Sequence, residues 1–194
     1  MNKNNLTYIL LFLAVALSAL SFPDKNGKIV VNENDMIVRL IENTGSDIKT
    51  AEALFTVDVS RKKCFELINN IIDYPSFMPD IEKTIFVKNT SEGKLYDFIY
   101  DAPLFDIEYT LLLKDTLDEG IYYIEWSYVK GDLNDSNGSW EIKIDPDNGN
   151  GTLINYRTYL DTGTILPDWL MNRLTAGSIP DMIEAIRKRV KKIK

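Results

Sequence analysis

The sequence predicts an α+β fold: an antiparallel sheet of about six to seven strands curved around a long C-terminal α-helix. Two observations carry this. Apolar and polar residues alternate with a period of two through most of residues 51–160, and the closing stretch changes to spacings of three and four. Turn residues punctuate the alternating stretches, so short connections join neighbouring antiparallel strands.

The elements follow in order. Residues 29–41 are rich in Ile and Val, Asn43-Thr44-Gly45-Ser46 reads as a turn, and Phe55, Val57 and Val59 share a face in residues 51–59. Together these predict a hairpin. The Ser60 hydroxyl stands where it would cap a helix with the apolar stripe Cys64, Phe65, Leu67, Ile68, Ile71 and Ile72, ended by Pro75 and Pro79. A meander comes next. Residues 81–87 and 94–100 flank a turn at Ser91-Glu92-Gly93, and residues 105–113 put Phe105, Ile107, Tyr109, Leu111 and Leu113 on one face against Asp106, Glu108 and Thr110 on the other. One face is buried and the other wet. Tyr122, Ile124, Trp126 and Tyr128 repeat the period, as do Trp140, Ile142 and Ile144, and then Ile154, Tyr156, Thr158 and Leu160. Turns are expected at Asp118-Glu119-Gly120, Asn137-Gly138 and Asp147-Asn148-Gly149, which carry residues that tolerate positive φ. Pro167 opens a helical stretch that Ala176-Gly177 interrupts. Ser178 and Asp181 have capping spacing, with Pro180 in the first turn. Met182, Ile183, Ile186, Val190 and Ile193 then form one helix face, and the aromatic face of the sheet is the large apolar surface able to cover it.

Residues 6–20 form an uncharged apolar run after Lys3, with small residues at Ala19-Leu20-Ser21 and polarity restored at Phe22-Pro23-Asp24. This is the layout of a signal peptide. Cleavage is expected after Ser21, with Ser18 the second choice and an uncleaved anchor the alternative; residues 22–194 then form a single domain, exported to a periplasm or the exterior. The run falls short of the roughly 20 residues of a spanning helix. Removing residues 1–21 takes one of the 22 cations and none of the 29 acids, moving the net charge from −7 to −8. That charge disfavours nucleic acid as a partner. With no histidine and Cys64 alone, the chain lacks a Ser-His-Asp or Cys-His couple, a zinc-binding imidazole and a thiolate cage. No catalytic residue, metal or cofactor is expected. Cys64 reads as a half-buried small hydrophobe.

Segment 57–79, VDVSRKKCFELINNIIDYPSFMP, resembles the opening of START-like (SRPBCC superfamily) helix-grip domains, and Gly138-Ser139-Trp140 followed by residues 152–156 resembles their paired late strands. The stretch Leu166-Pro167-Asp168-Trp169-Leu170-Met171-Asn172, with Pro180 and Ile186-Arg187 downstream, is similar to the entry of the closing helix in START lipid-transfer domains. The resemblance spans roughly residues 51–190. It implies a cavity between sheet and helix for an apolar molecule such as a lipid, sterol, quinone or polyketide, in a protein that binds, transports or transforms it.

The residues expected to line that cavity are Phe98, Tyr100, Tyr109, Leu111, Trp126, Tyr128 and Tyr156 from the sheet, facing Leu170, Leu174, Met182, Ile183 and Ile186. The tyrosines pair an apolar ring with a hydroxyl that wants a partner, which suits a ligand with a carbonyl or hydroxyl head. Arg157 alternates with Tyr156 and is expected on the opposite face in a salt bridge. Asp101, Asp106 and Glu108 read as solvated strand-end charges. Six cations near the C-terminus, Arg187, Lys188, Arg189, Lys191, Lys192 and Lys194, complement the helix dipole, and their alternative role is contact with an anionic membrane. The rival functions are a polyketide-cyclase-like enzyme, which needs an inward carboxylate, and a protein-binding module with a filled core.

Overall fold

The computed structural model describes residues 20–102, 106–163 and 177–193. Nine strands form one antiparallel sheet: β1 (Lys28–Glu33), β2 (Met36–Asn43), β3 (Ser46–Val57), β4 (Ile81–Asn89), β5 (Lys94–Asp101), β6 (Asp106–Asp118), β7 (Ile121–Gly131), β8 (Asp135–Ile144) and β9 (Thr152–Asp161). Their order across the sheet is β1-β2-β3-β9-β8-β7-β6-β5-β4. After β3 the chain passes α1 (Arg61–Ile68) and a 3-10 turn (Ile71–Ser76) to the far edge, then meanders back until β9 pairs with β3. The helix α2 (Ser178–Ile193) closes the described chain on the inner face. The expected leader, except for its last two residues, and the expected lining residues Leu170 and Leu174 lie outside the described residues, as do Phe105, residues 167–169 and Lys194.

The fold class agrees with the sequence reading, while nine strands replace the expected six to seven. Residues 29–41, read as one strand, break at Asn34 and Asp35, whose φ angles of 49° and 55° reverse the chain. Asn and Asp are the side chains that enter this left-handed region most readily. Asn137-Gly138 is not a turn: both residues lie inside β8, opposite Tyr159 and Thr158 of β9. The reversal sits between Gly131 and Asp135. Helix α1 also ends earlier than its apolar stripe implied, because the Ile68 carbonyl accepts the Tyr74 hydroxyl at 2.6 Å. Ile71 is buried beyond that break and Ile72 is exposed. Ser60 occupies the N-cap position, and its hydroxyl makes no capping bond.

The inner face is close-packed around Val38, Phe55, Ile124, Ile142 and Ile154 of the sheet, Cys64 and Ile68 of α1, and Ile183 and Ile186 of α2, each fully buried. Burying each large aliphatic chain contributes about 1.5–3 kcal/mol. Cys64, expected to be half-buried, belongs to this core, and desolvation pushes its thiol up to about 12, so it stays protonated and inert. Val190 continues the helix stripe, but Ile193 in the last turn is 37% exposed.

The outer face carries a buried ion cluster. The Arg39 Nε donates to Glu52 at 2.7 Å, and Nη1 reaches the Asp24 carboxylate at 2.7 Å and the Asn26 carbonyl at 2.9 Å. The Phe22 ring lies 3.9 Å from the Arg39 guanidinium carbon. Residues 22–26 are thereby strapped across β2 and β3. The hydrogen bond from Arg39 holds the Asp24 carboxyl below its ordinary value, so Asp24 favours the strapped state above that value and loses this contribution as pH falls through the lowered one. Arg39→Ala leaves Glu52 buried without its cation, and the expected loss is about 3–5 kcal/mol in urea unfolding at neutral pH. A loss under 1 kcal/mol would show that the strap carries no stability.

Candidate ligand cavity

Toward the N-terminal end of α2 the packing stops being complete. A cavity of about 180 Å³ opens there between sheet and helix. Its walls come from alternate positions of five strands: Phe98 and Tyr100 on β5, Ile107, Tyr109, Leu111 and Leu113 on β6, Ile124 and Trp126 on β7, Ser136 and Trp140 on β8, and Tyr156, Thr158 and Leu160 on β9. Ile71, Tyr74, Met78 and Pro79 close one side, and Ser178, Ile179 and Met182 of α2 form the roof. Ile81 and Leu133 complete the described lining. Ile71 and Ile124 are fully buried, whereas Ile81, Tyr100, Leu160, Ser178 and Met182 are only half-buried, so the cavity nears solvent at the Tyr100–Leu160 end.

The void exists because the wall rings stack on one another instead of reaching the helix. Tyr156 stacks on Trp126 with centroids 5.8 Å and planes 25° apart, and Trp140 meets it at 4.2 Å with a tilt of 40°. Phe98 and Tyr109 stack at 5.4 Å with planes 4° apart. These are favourable offset geometries, each contributing about 0.5–1.5 kcal/mol beyond area burial. Gly138 makes the first stack possible. A Cβ there would meet Trp126 Cζ2 at 2.2 Å and the Arg157 carbonyl at 2.2 Å, so the indole occupies the space a side chain would take.

The polar atoms inside are hydroxyls and indole nitrogens. Desolvation raises the Tyr74, Tyr109 and Tyr156 phenols, Tyr156 up to about 12, so all three are neutral donors at ordinary pH. Tyr74 spends its proton on the Ile68 carbonyl, and Tyr156 has the Thr158 hydroxyl beside it. Among the described residues, Tyr109 has no hydrogen-bond partner for its hydroxyl, and no Asp, Glu, Lys or Arg lines the cavity. Tyr100 at the exposed end donates to Asp80 at 3.0 Å.

Of the residues expected from sequence, Phe98, Tyr100, Tyr109, Leu111, Trp126, Tyr156 and Met182 line this cavity. Tyr128, Ile183 and Ile186 do not. Tyr128 stays in register opposite Leu111, packs against both the main core and the small cluster of Ala102, Ile107 and Leu133, and donates its hydroxyl to the Gly131 carbonyl at 2.8 Å. Ile183 and Ile186, lower on α2, are spent on the filled core. Ile107, Leu113, Ile124, Trp140, Thr158 and Leu160 shared the recognised period-two faces and were legible. Tyr74 arrives from the 3-10 turn and Met78 and Pro79 from the residues just after it, a stretch with no periodicity to read. Arg157 is exposed on the outer face as its alternation predicts, but it makes no ion pair with a described residue. Asp101, Asp106 and Glu108 are exposed.

Gly138→Ala is expected to lower stability by about 1–3 kcal/mol and to shift tryptophan emission as Trp126 moves. Unchanged emission would show that the indole does not rest on this glycine.

Comparison with known proteins places this geometry. The folds of three solved structures match. A STAR-related lipid transfer protein from Xanthomonas axonopodis has a TM-score of 0.75 at 14% identity, covering 86% of this chain and 99% of its own. Human STARD10 has a TM-score of 0.73 at 13% identity, covering 91% and 83%. The Zhui aromatase/cyclase from Streptomyces sp. R1128 has a TM-score of 0.60 at 14% identity, covering 75% and 94%. No curated protein matches by sequence. At these identities the structures establish the helix-grip fold alone, but a family model spans residues 57–187, from the end of β3 into α2, and by that match the chain belongs to the polyketide cyclase / dehydrase and lipid transport family.

Proposed function

We propose that this protein is an exported carrier that binds one apolar small molecule in the cavity and delivers or sequesters it. The observation that carries the reading is an aromatic-walled void beside a helix whose other half is fully packed. Such a void lowers stability, since unfilled space forfeits van der Waals contact. Occupation by a ligand restores that contact.

Binding is favoured over catalysis by the lining. A cyclase-like mechanism needs a carboxylate, thiol or imidazole against the substrate, and the described lining offers hydroxyls and indoles. A filled core, as a protein-binding module requires, is disfavoured by the void itself. Export rests on the leader-like N-terminal run; among the described residues no helix is long and apolar enough to cross a membrane.

Contact with an anionic membrane has a narrower basis than the six C-terminal cations implied. Arg187 donates to the Asn34 and Asp35 carbonyls at 2.7 and 2.9 Å, and Arg189 is paired with Asp73. Lys188, Lys191 and Lys192 stay exposed, and Lys63 of α1 joins them by reaching the Ile193 carbonyl at 3.3 Å. This basic end lies at the C-terminus of α2, away from the solvent-near end of the cavity.

Native mass spectrometry of the protein from its own host, with organic extraction of what copurifies, tests the reading. One bound apolar molecule per chain is expected, and Leu111→Trp, which fills the void, is expected to abolish its retention while keeping the fold. An empty wild-type protein that also ignores a panel of lipids, sterols and quinones would overturn the carrier.

A further inference from the structure

The size, shape and electrostatics of the cavity narrow the ligand, and the narrowing rests on the carrier reading above. A dry cavity of about 150 Å³ holds one benzene, and common ligand pockets run to about 300–1,000 Å³. At about 180 Å³ this one fits a compact ring system. Two flat ring pairs face it, Trp126 stacked on Tyr156 and Phe98 nearly parallel to Tyr109, with Trp140 tilted against the first.

Two independent features select against an anion. An anionic head inside would find no described cation to pair with, and burying an unpaired charge is costly. The solvent-near end is also strongly acidic. Asp101 stands directly opposite Asp106, and Asp135 directly opposite Asp161, in the strand ladders. Glu108 and Asp132 lie beside them, joined by a 2.9 Å bond from the Glu108 amide to the Asp132 carboxylate. Facing like charges cost stability, and in these strand ends Lys130 is the one described cation. The negative potential at the entrance repels carboxylates and phosphates. A cation would enter more easily, but the described interior offers no carboxylate to neutralise it.

The interior polar groups point to a hydrogen-bond acceptor. Tyr109 lines the cavity, is half-buried, and its hydroxyl makes no hydrogen bond to a described residue, so it is a donor free to meet a ligand oxygen.

We propose that the cavity takes an uncharged, planar molecule of one or two rings bearing a carbonyl or hydroxyl oxygen, its ring against the Trp126–Tyr156 wall and its oxygen accepting from Tyr109. The class covers aromatic ketones, quinones and phenols in which the oxygen is attached to the ring system.

Calorimetric titration of the protein, stripped of copurifying molecules, with four matched probes tests this: 2-acetylnaphthalene, naphthalene, 2-naphthoate and 2-naphthyltrimethylammonium, with palmitate and a phosphatidylcholine alongside. The ketone is expected to bind about three- to tenfold more tightly than naphthalene, the increment of one hydrogen bond. Naphthoate and the ammonium are expected to be weaker than the ketone by more than about tenfold. Tyr109→Phe is expected to remove the ketone's advantage while leaving naphthalene unchanged. Binding of naphthoate or the ammonium as tight as the ketone, or a ketone preference that survives Tyr109→Phe, overturns the proposal. Retention of palmitate or phosphatidylcholine with no naphthyl probe bound overturns it too and leaves the carrier standing. Failure of every probe removes both.

Discussion

The apolar stripe of α2 has to be covered, and the interior follows from how the sheet covers it. Ile183, Ile186 and Val190 share one buried cluster with Val38 of β2, Phe55 and Val57 of β3, Ile142 of β8 and Ile154 of β9, all of them buried. One turn earlier, at Ile179 and Met182, the facing residues are Phe98, Tyr109, Trp126 and Tyr156. These are planar, and their best contacts are with each other. The inner face along one helix is therefore divided into a packed half and a hollow half whose sheet wall is mostly aromatic.

Much of this was legible in the sequence. The period of two in β5 through β9 gave both the strands and the inward faces, and the three-and-four spacing gave α2. Seven of the expected lining residues meet at the cavity for that reason. Alternation, however, tells which face a residue occupies and not how far along the helix it sits, so Ile183 and Ile186 were indistinguishable from Met182. It also cannot see that the Tyr128 hydroxyl is tied to the Gly131 carbonyl at the end of its strand. Gly138 is the sharpest case. Asn-Gly is among the strongest turn signals in a sequence, yet here glycine is needed because an indole from β7 crosses over it. Tyr74 of the 3-10 turn and Met78 just beyond it had no periodic pattern, and Tyr74 donates its hydroxyl to the end of α1.

The charges divide the molecule as clearly as the packing does. Carboxylates crowd the strand ends near the exposed side of the cavity, and lysines of α1 and α2 gather at the opposite end. A net charge of −7 hides this separation. The buried Arg39 cluster stands apart from both, on the outer face, where its cation joins two strands to the residues preceding β1.

Arg187 sits nine residues from the start of α2 and holds both carbonyls of the left-handed β1–β2 turn, and its side chain also meets the Thr56 carbonyl at 3.4 Å. That tie lies on the packed half of α2, together with Ile183, Ile186 and Val190. Ser178, at 1.5 Å per residue, stands about 13 Å along the axis from Arg187. The residues that fix where the helix rests on the sheet are therefore separate from Ser178, Ile179 and Met182, which roof the hollow half, so a substitution in the roof can reshape the hollow without touching the tie.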